Sequence, residues 1–381
     1  MKKKIFTALG VMTGTSMDGV DISLIKSDGD ADYAHILDNY FKFDYELQKR
    51  LTNLRNKLFV FEDLEKNFKE LNDVERDFTL FIGKMVNKIV IKYNNNIDLI
   101  GFHGQTIFHN SDKKISKQLG DGKLLSQITK IIVVNNFREK DLTNNGQGAP
   151  LTPIFHNLIS KILLKKYNLG YPLNIINIGG ITNITQILDQ DDSQGKNLYA
   201  FDIGPGNCLI DEWVRKNSKK KFDNNGEISR SGNINDLILN QALDNFRIKT
   251  FEKSLDVKDF DISFVRGLSL EDGCATLTRF SAILIARGIE YVNNIKNSNP
   301  KKNLVCGGGR KNLSLINGIN ENLKQKNNIE DIDKYEFEGD FIEAQAFGYL
   351  SIRSFLKLPI SFPNTTRCKN PTTGGVINKN F

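Results

Sequence analysis

The chain has 381 residues, too many for one ordinary core and enough for two domains. Hydrophobic residues at 39% and charged residues at 25% exclude a disordered chain, and no apolar run approaches the ~20 residues that cross a bilayer. The formal charge of +7 is spread along the sequence, with its densest run at Lys216, Lys219, Lys220 and Lys221 and no basic stripe interleaved with aromatics, which argues against a nucleic-acid partner.

Residues 4–12 read as a β-strand. The lysines at 2–4 imitate the start of a signal peptide, but the apolar run is short and Thr13-Gly14-Thr15-Ser16 breaks it with no small-residue cleavage site. Cys208, Cys274, Cys306 and Cys368 lie too far apart for a zinc site or a disulfide framework, so a reducing cytoplasm is expected. Val20 to Ile25 reads as a second strand, making a hairpin with a turn rich in Gly, Ser, Thr and Asp. Residues 45–93 read as helical: Leu47, Leu51, Leu54 and Leu58 share one face, as do Phe78, Phe81, Ile82, Met85, Ile89 and Val90. Ile97 to Phe102 is a compact strand ending in His103-Gly104-Gln105-Thr106. A short helix at 124–128 and a strand at 131–134 follow. The segment Asn144-Asn145-Gly146-Gln147-Gly148-Ala149-Pro150 is loop-like, and 151–166 is helical.

The opening pattern then recurs. Leu173 to Ile178 and Ile181 to Leu188 flank Gly179-Gly180, so a strand, glycine turn and strand begin each half, as an ancient duplication would leave them. Tyr199 to Ile203 reads as a strand, Cys208 to Arg215 and 275–295 as helices, Asn303 to Cys306 as a strand, and 340–357 as a last helix. This order means an α/β protein, with ligands expected in a cleft between two halves.

Three glycine turns carry the candidate chemistry. In Gly14-Thr15-Ser16-Met17-Asp18-Gly19-Val20-Asp21, glycines let backbone N–H groups approach phosphate oxygens, Thr15 and Ser16 add hydroxyls, and Asp18 or Asp21 suits magnesium, directly or through water. The segment by itself reads equally as a plain hairpin turn. Gly179-Gly180 repeats the device, and Gly307-Gly308-Gly309 ends a strand before a helix. One such turn is weak, whereas three suit a nucleotide held from several sides. Asp202, at the end of a strand before Gly204-Pro205-Gly206, reads as a general base or as a turn-initiating residue. Gln105 and Thr106 suit hydroxyl or amide recognition on a sugar. His103 and His109 would lie ~20 Å apart on an extended chain, too far to share a metal ion.

Several segments, in this order, resemble the anhydro-N-acetylmuramic acid kinase family. They are residues 10–21, Phe102-His103-Gly104-Gln105-Thr106, Gly146-Gln147-Gly148-Ala149-Pro150-Leu151, residues 177–184, residues 201–207, Val305-Cys306-Gly307-Gly308-Gly309 and residues 342–347. The resemblance implies a two-domain actin/hexokinase-like (RNase H-like) α/β fold with an interdomain cleft. Domain I is then 1–136 plus 358–381, and domain II is 137–357. It implies a kinase that uses ATP, Mg2+ and water to open 1,6-anhydro-N-acetylmuramic acid and phosphorylate it in cell-wall recycling. A cytoplasmic homodimer is implied as well, with no membrane or nucleic-acid partner. Asp202 maps onto the family's catalytic aspartate and residues 14–21 onto its ATP loop. Gly179, Gly180, Gly204, Gly206, Gly307, Gly308 and Gly309 complete the expected nucleotide contacts. Gln105, Thr106, Arg138, Asp202 and Glu343 are the expected sugar contacts.

The chain departs from the family pattern at Thr13, Met17, Ile203 and Asn136, and at Thr143-Asn144-Asn145-Gly146. The hydroxyl lost at Ile203 and the charge lost at Asn136 bear on substrate contacts and leave the base and the glycines intact. Two other readings share the superfold: a kinase of another anhydrosugar or hexose, and an ATP-gated binding or chaperone-like protein. Product analysis separates the first, while sugar-independent ATP hydrolysis with a peptide partner would mark the second.

Overall fold

The structure, a computed structural model, describes residues 4–190, 195–246, 251, 253–324 and 329–381; Lys2 and Lys3 of the leader-like start lie outside them. The chain divides into two compact units, Met1–Leu158 with Phe341–Phe381, and Ile159–Asp340.

In the first unit, strand β1 (Phe6–Met12) is buried at every residue. A strand covered on both faces reads as an unbroken apolar run, which is why this one shows no alternation. β2 (Gly19–Ser27) pairs antiparallel with β1, and β3 (Tyr33–Lys42) pairs antiparallel with β2. On the other side of β1 lies β4 (Leu99–Asn110), in parallel. β5 (Ile115–Leu119) folds back on β4, and β6 (Ile132–Asn135) runs parallel to it. The C-terminal strand Val376–Asn378 pairs antiparallel with β6 and completes a seven-stranded sheet.

The second unit repeats this plan. β7 (Leu173–Ile178), β8 (Ile181–Ile187) and β9 (Leu198–Pro205) form an antiparallel meander. β10 (Lys302–Cys306) and β11 (Ile329–Asp331) extend it in parallel on the far side of β7. The order β11-β10-β7-β8-β9 matches β6-β4-β1-β2-β3 strand for strand. Two copies of a three-strand meander with parallel strands added beside its first strand are the actin/hexokinase-like plan, and the duplication expected from the two glycine hairpins is present in the topology.

The unit borders at 158/159 and 340/341 differ from the sequence-based ones at 136/137 and 357/358. The helix Ile342–Phe355 accounts for the second difference, because it packs on β1, β2 and β4. It lies directly on the sheet: a Cβ at Gly10 would meet the Ala344 carbonyl, and one at Gly101 the Phe347 carbonyl. The helical stretch expected at 45–93 is three helices, Tyr45–Arg55, Glu62–Lys66 and Phe68–Tyr93. The break follows from Asp63, whose carboxylate accepts the N–H groups of Phe59 and Val60 and turns the chain. Leu58 keeps its place in the core although it lies beyond the first helix. Among the described residues, no helix is long and apolar enough to cross a membrane.

Candidate active site

The first hairpin turn joins β1 to β2 in the register Met12 opposite Asp21. Thr15 and Ser16 are its exposed residues, whereas the Met17 and Val20 side chains are buried in the core. The turn is held from β4: the Thr13 hydroxyl donates to the Gly104 carbonyl at 2.9 Å, and Gln105 Nε2 donates to the Gly14 carbonyl at 3.1 Å. Arg55 Nη1 donates to the Thr15 carbonyl at 3.1 Å. Asp18 accepts from the Ser16 hydroxyl, and the Tyr40 phenol also bonds to it. Burial, with Asp18 and then Asp21 nearby, holds that phenol above its ordinary pKa. Two carboxylates thus stand at one end of the hairpin.

The glycines expected at the nucleotide are not equivalent. Gly19 makes room for the Tyr40 ring, Gly206 for the Gly179 carbonyl, Gly307 for Asn177, and Gly309 for Ile178. At these positions the protein's own packing requires glycine. Gly14, Gly179 and Gly308 differ. A Cβ at Gly14 would find Ser16 Oγ at 3.7 Å, one at Gly179 the Ile181 carbonyl at 3.6 Å, and one at Gly308 nothing within 4 Å. Each of the three motifs therefore keeps one glycine that the fold does not need. Gly206, Asn207 and Cys208 donate their N–H groups to the Gly179 and Gly180 carbonyls, at 2.9, 2.8 and 3.3 Å, so those amides pin the helix Cys208–Asn217 to the second hairpin. Gly204, in β9, lies opposite Thr182.

Asp202 is 9% exposed on β9, with Asn183 opposite it on β8. Its Oδ2 accepts the Leu255 N–H at 2.8 Å. Across from it, Asn183 Oδ1 is buried with no hydrogen-bond partner among the described residues; Thr182 Oγ1, one position earlier on β8 and opposite Gly204, also has none. Both lie in a segment the sequence reading quoted without giving them a role. Ile203 points the other way, into the core with Ile178, Ile184 and Ile285, so the hydroxyl missing there does not face Asp202. Side chains alternate faces along a strand, and neighbours cannot share one.

In the first unit, Gln105 and Thr106 lie within β4, Arg138 meets His103 of the same strand, and the Arg138 charge acts on Glu343. Arg138 Nη1 donates to the Gly148 carbonyl at 3.2 Å, and its Nη2 lies 3.0 Å from His103 Nε2. Gly148 is fixed in turn by Asp141, a buried residue missed in the sequence, whose Oδ2 accepts the Gly148 N–H at 2.7 Å while Oδ1 accepts from Thr366 at 2.6 Å. Gln105 Oε1 is buried without a partner among the described residues. The Thr106 hydroxyl accepts from Gln118 at 3.2 Å. Asn136 takes a left-handed backbone conformation, φ 55°, and bonds to Glu139, a turn role that asparagine fills well. Gln345, on the same helix as Glu343, accepts from the Tyr33 hydroxyl at 2.8 Å and anchors that helix to the sheet.

Burial raises the Glu343 carboxyl above its ordinary value, against the pull of Arg138. A carboxyl with a raised folded pKa binds its proton more tightly in the folded state than in the unfolded one. Stability therefore falls as pH rises from the unfolded value of 4.5 through the folded value, and stays lower above it. Glu343→Gln removes that loss. The variant is expected to melt above the parent at pH 7 to 8, with the difference closing toward pH 4.5; melting curves across that range, showing a constant difference, would contradict it.

Two comparisons bear on identity. The sequence model of the family described as "Anhydro-N-acetylmuramic acid kinase" matches residues 6–380. The chain belongs to the anhydro-N-acetylmuramic acid kinase family. The anhydro-N-acetylmuramic acid kinase of Pelagibacter ubique is 50% identical over 381 residues, covering 100% of both chains. That of Zymomonas mobilis is 37% identical, covering 97% of this chain and 99% of the relative. Among solved structures, hexokinase from Schistosoma mansoni complexed with glucose aligns at a TM-score of 0.41 and 10% identity, covering 91% of this chain and 85% of that one. As a member of this kinase family, the chain uses ATP and a small-molecule sugar.

Proposed function

We propose that the chain hydrolyses the 1,6-anhydro bond of 1,6-anhydro-N-acetylmuramic acid and phosphorylates O6, giving N-acetylmuramic acid 6-phosphate and ADP. The observation that carries the nucleotide half is the set of three glycines, Gly14, Gly179 and Gly308, that packing leaves unexplained. The sugar half rests on Asp202, with the unpartnered Asn183 Oδ1 opposite it, and on Gln105, Thr106, Arg138 and Glu343.

Asp202 accepts a proton from a water that attacks the anomeric carbon, which carries oxocarbenium character as its bond to O6 breaks. O6 leaves with the electron pair of that bond and attacks the γ-phosphorus of ATP, and ADP departs. The oxygen is consumed as it forms and is never released as a free alkoxide. The Leu255 N–H holds Oδ2 of Asp202 and so fixes the carboxylate plane. Backbone amides at the glycine turns take up charge on the transferring phosphoryl group. Among the described residues no cluster of three or more His, Cys, Asp or Glu side chains can hold a metal by itself. Asp18 and Asp21 would hold Mg2+ through its waters, and the ion would neutralise phosphate charge there. Cytoplasmic location and a homodimer belong to the same reading: all four cysteines are free and buried, and light scattering tests the dimer.

The test is ADP release from purified protein with ATP, magnesium and 1,6-anhydro-N-acetylmuramic acid, followed by mass analysis of the sugar. A product heavier by one water and one phosphoryl group is expected. A phosphorylated product that retains the anhydro bond, or no sugar-dependent ADP, would overturn the reading.

Gly14→Ala, Gly179→Ala and Gly308→Ala give a second expectation. The added methyl has room in the folded protein, so melting temperatures stay within ~2 °C of the parent. The KM for ATP rises roughly tenfold at each, equivalent to ~1.4 kcal/mol of lost binding. Unchanged nucleotide kinetics in all three would remove these turns from the site.

A further inference from the structure

We propose that His103 is a positioning residue that, as a neutral imidazole, aims the Arg138 guanidinium at the sugar and ties it to the first hairpin turn. The proposal rests on the functional reading above, in which Arg138 is a sugar contact.

His103 is 4% exposed and sits where β4 bulges: Val11 is opposite Phe102, but Met12 is opposite Gly104. The bulge needs Gly104, which has φ +79° and whose Cβ would enter the Leu119 carbonyl. One residue is thereby displaced from the ladder, and it is His103. Its two ring nitrogens meet opposite partners. Nδ1 lies 2.7 Å from the Gly104 carbonyl, which only accepts, so Nδ1 carries the proton. Nε2 lies 3.0 Å from Arg138 Nη2, which only donates, so Nε2 carries none. A protonated ring would turn an N–H against the guanidinium. Burial, and then the Arg138 charge, hold the imidazole pKa well below its ordinary value, in keeping with this tautomer. The ring packs against Phe347 at 4.5 Å between centroids, one turn after Glu343 on the same helix.

The contacts form a chain. The Thr13 hydroxyl and His103 Nδ1 donate to one carbonyl, that of Gly104. His103 Nε2 and the Gly148 carbonyl then accept from two different nitrogens of Arg138. The arginine is restrained on two edges, and the hairpin that begins at Thr13 is linked to it by a single carbonyl. A buried, hydrogen-bonded histidine serving the fold alone would have no reason to accept from a site arginine. Removing it costs orientation of Arg138 first.

The experiment uses the full-length protein with His103→Ala, His103→Gln, Arg138→Ala and the double variant His103→Ala/Arg138→Ala. Initial rates are measured against the anhydrosugar and against ATP. His103→Ala is expected to raise the sugar KM roughly tenfold or more, with the ATP KM within about twofold. His103→Gln, which keeps a side-chain acceptor, recovers most of that loss. The double variant is no worse than Arg138→Ala alone, because two residues acting as one unit are not additive. An unchanged sugar KM in His103→Ala, or a full additive loss in the double variant, would overturn the proposal. Should His103→Ala fail to fold, nitrogen NMR of histidine-labelled parent protein decides: a proton on Nδ1 and none on Nε2 at pH 7 is required, and the other tautomer or a cation refutes it. If the parent itself makes no phosphorylated sugar, the functional reading fails, and the NMR result still reports on the tautomer.

Discussion

Asp202→Asn is expected to lower sugar-dependent kcat by roughly 10³-fold while leaving the ATP dissociation constant within about twofold of the parent. The substitution keeps the shape of the side chain and one oxygen able to accept the Leu255 N–H that now bonds Oδ2. It removes only the capacity to take a proton. Asp202 sits in the buried end of β9, so a substitution that disturbed packing would confuse the result; the isosteric amide avoids this. Parallel measurements of melting temperature and nucleotide affinity separate the chemical step from binding. Near-normal turnover would remove Asp202 as the base. The unpartnered Asn183 opposite it would then be the first place to look for a group that orients the attacking water.

Much of this arrangement was legible in the sequence, for identifiable reasons. β1, β7 and β10 are buried on both faces and announce themselves as short apolar runs that stop at a glycine turn. The repeated strand, turn and strand gave away the duplication because each copy begins with the same meander. β3 was missed because it lies at the edge of its sheet, half-exposed along most of its length, with neither an apolar run nor clean alternation. β5 and β11 are five and three residues long, too short to carry a period.

The site was legible where chemistry depends on residue type and opaque where it depends on distance in the chain. Asp202 and the glycine turns stand out locally. Asp141 does not: its partners are Gly148 and Thr366, the second of them across 225 positions, and only the fold brings them to one carboxylate. His103 was noticed for the wrong comparison, with His109, when its partner is Arg138 35 positions on. The sequence also cannot say which glycines serve a ligand. Gly19, Gly307 and Gly309 stand in the same motifs as Gly14 and Gly308, and Gly206 was expected beside Gly179 at the nucleotide, yet each is explained by a neighbour inside the protein.

The same distinction gives the second large effect, at Gly10. It stands four positions before Gly14, on β1 and ahead of the loop expected at 14–21, and its surroundings are those of a helix–sheet contact. The helix Ile342–Phe355 lies so close to β1 that a Cβ at Gly10 would collide with the backbone carbonyl of Ala344 and the backbone nitrogen of Gly348. Backbone atoms in a hydrogen-bonded helix cannot step aside as a side-chain end can. The helix would have to lift from the sheet, taking Glu343 and Gln345 with it and opening the Tyr33 contact that anchors it. Gly10→Ala is therefore expected to destabilise the protein by at least ~3 kcal/mol, the upper end of overpacking costs, and to lower the melting temperature by on the order of 10 °C. Gly101→Ala, against the Phe347 carbonyl, is expected to match it. Both would lose activity through the fold, with nucleotide affinity restored only at temperatures where the variant is folded. Gly14→Ala does the reverse, sparing the fold and impairing ATP use. Melting curves of the three variants side by side make the comparison, and a Gly10→Ala protein as stable as its parent would mean that the close helix–sheet contact is not what that glycine serves.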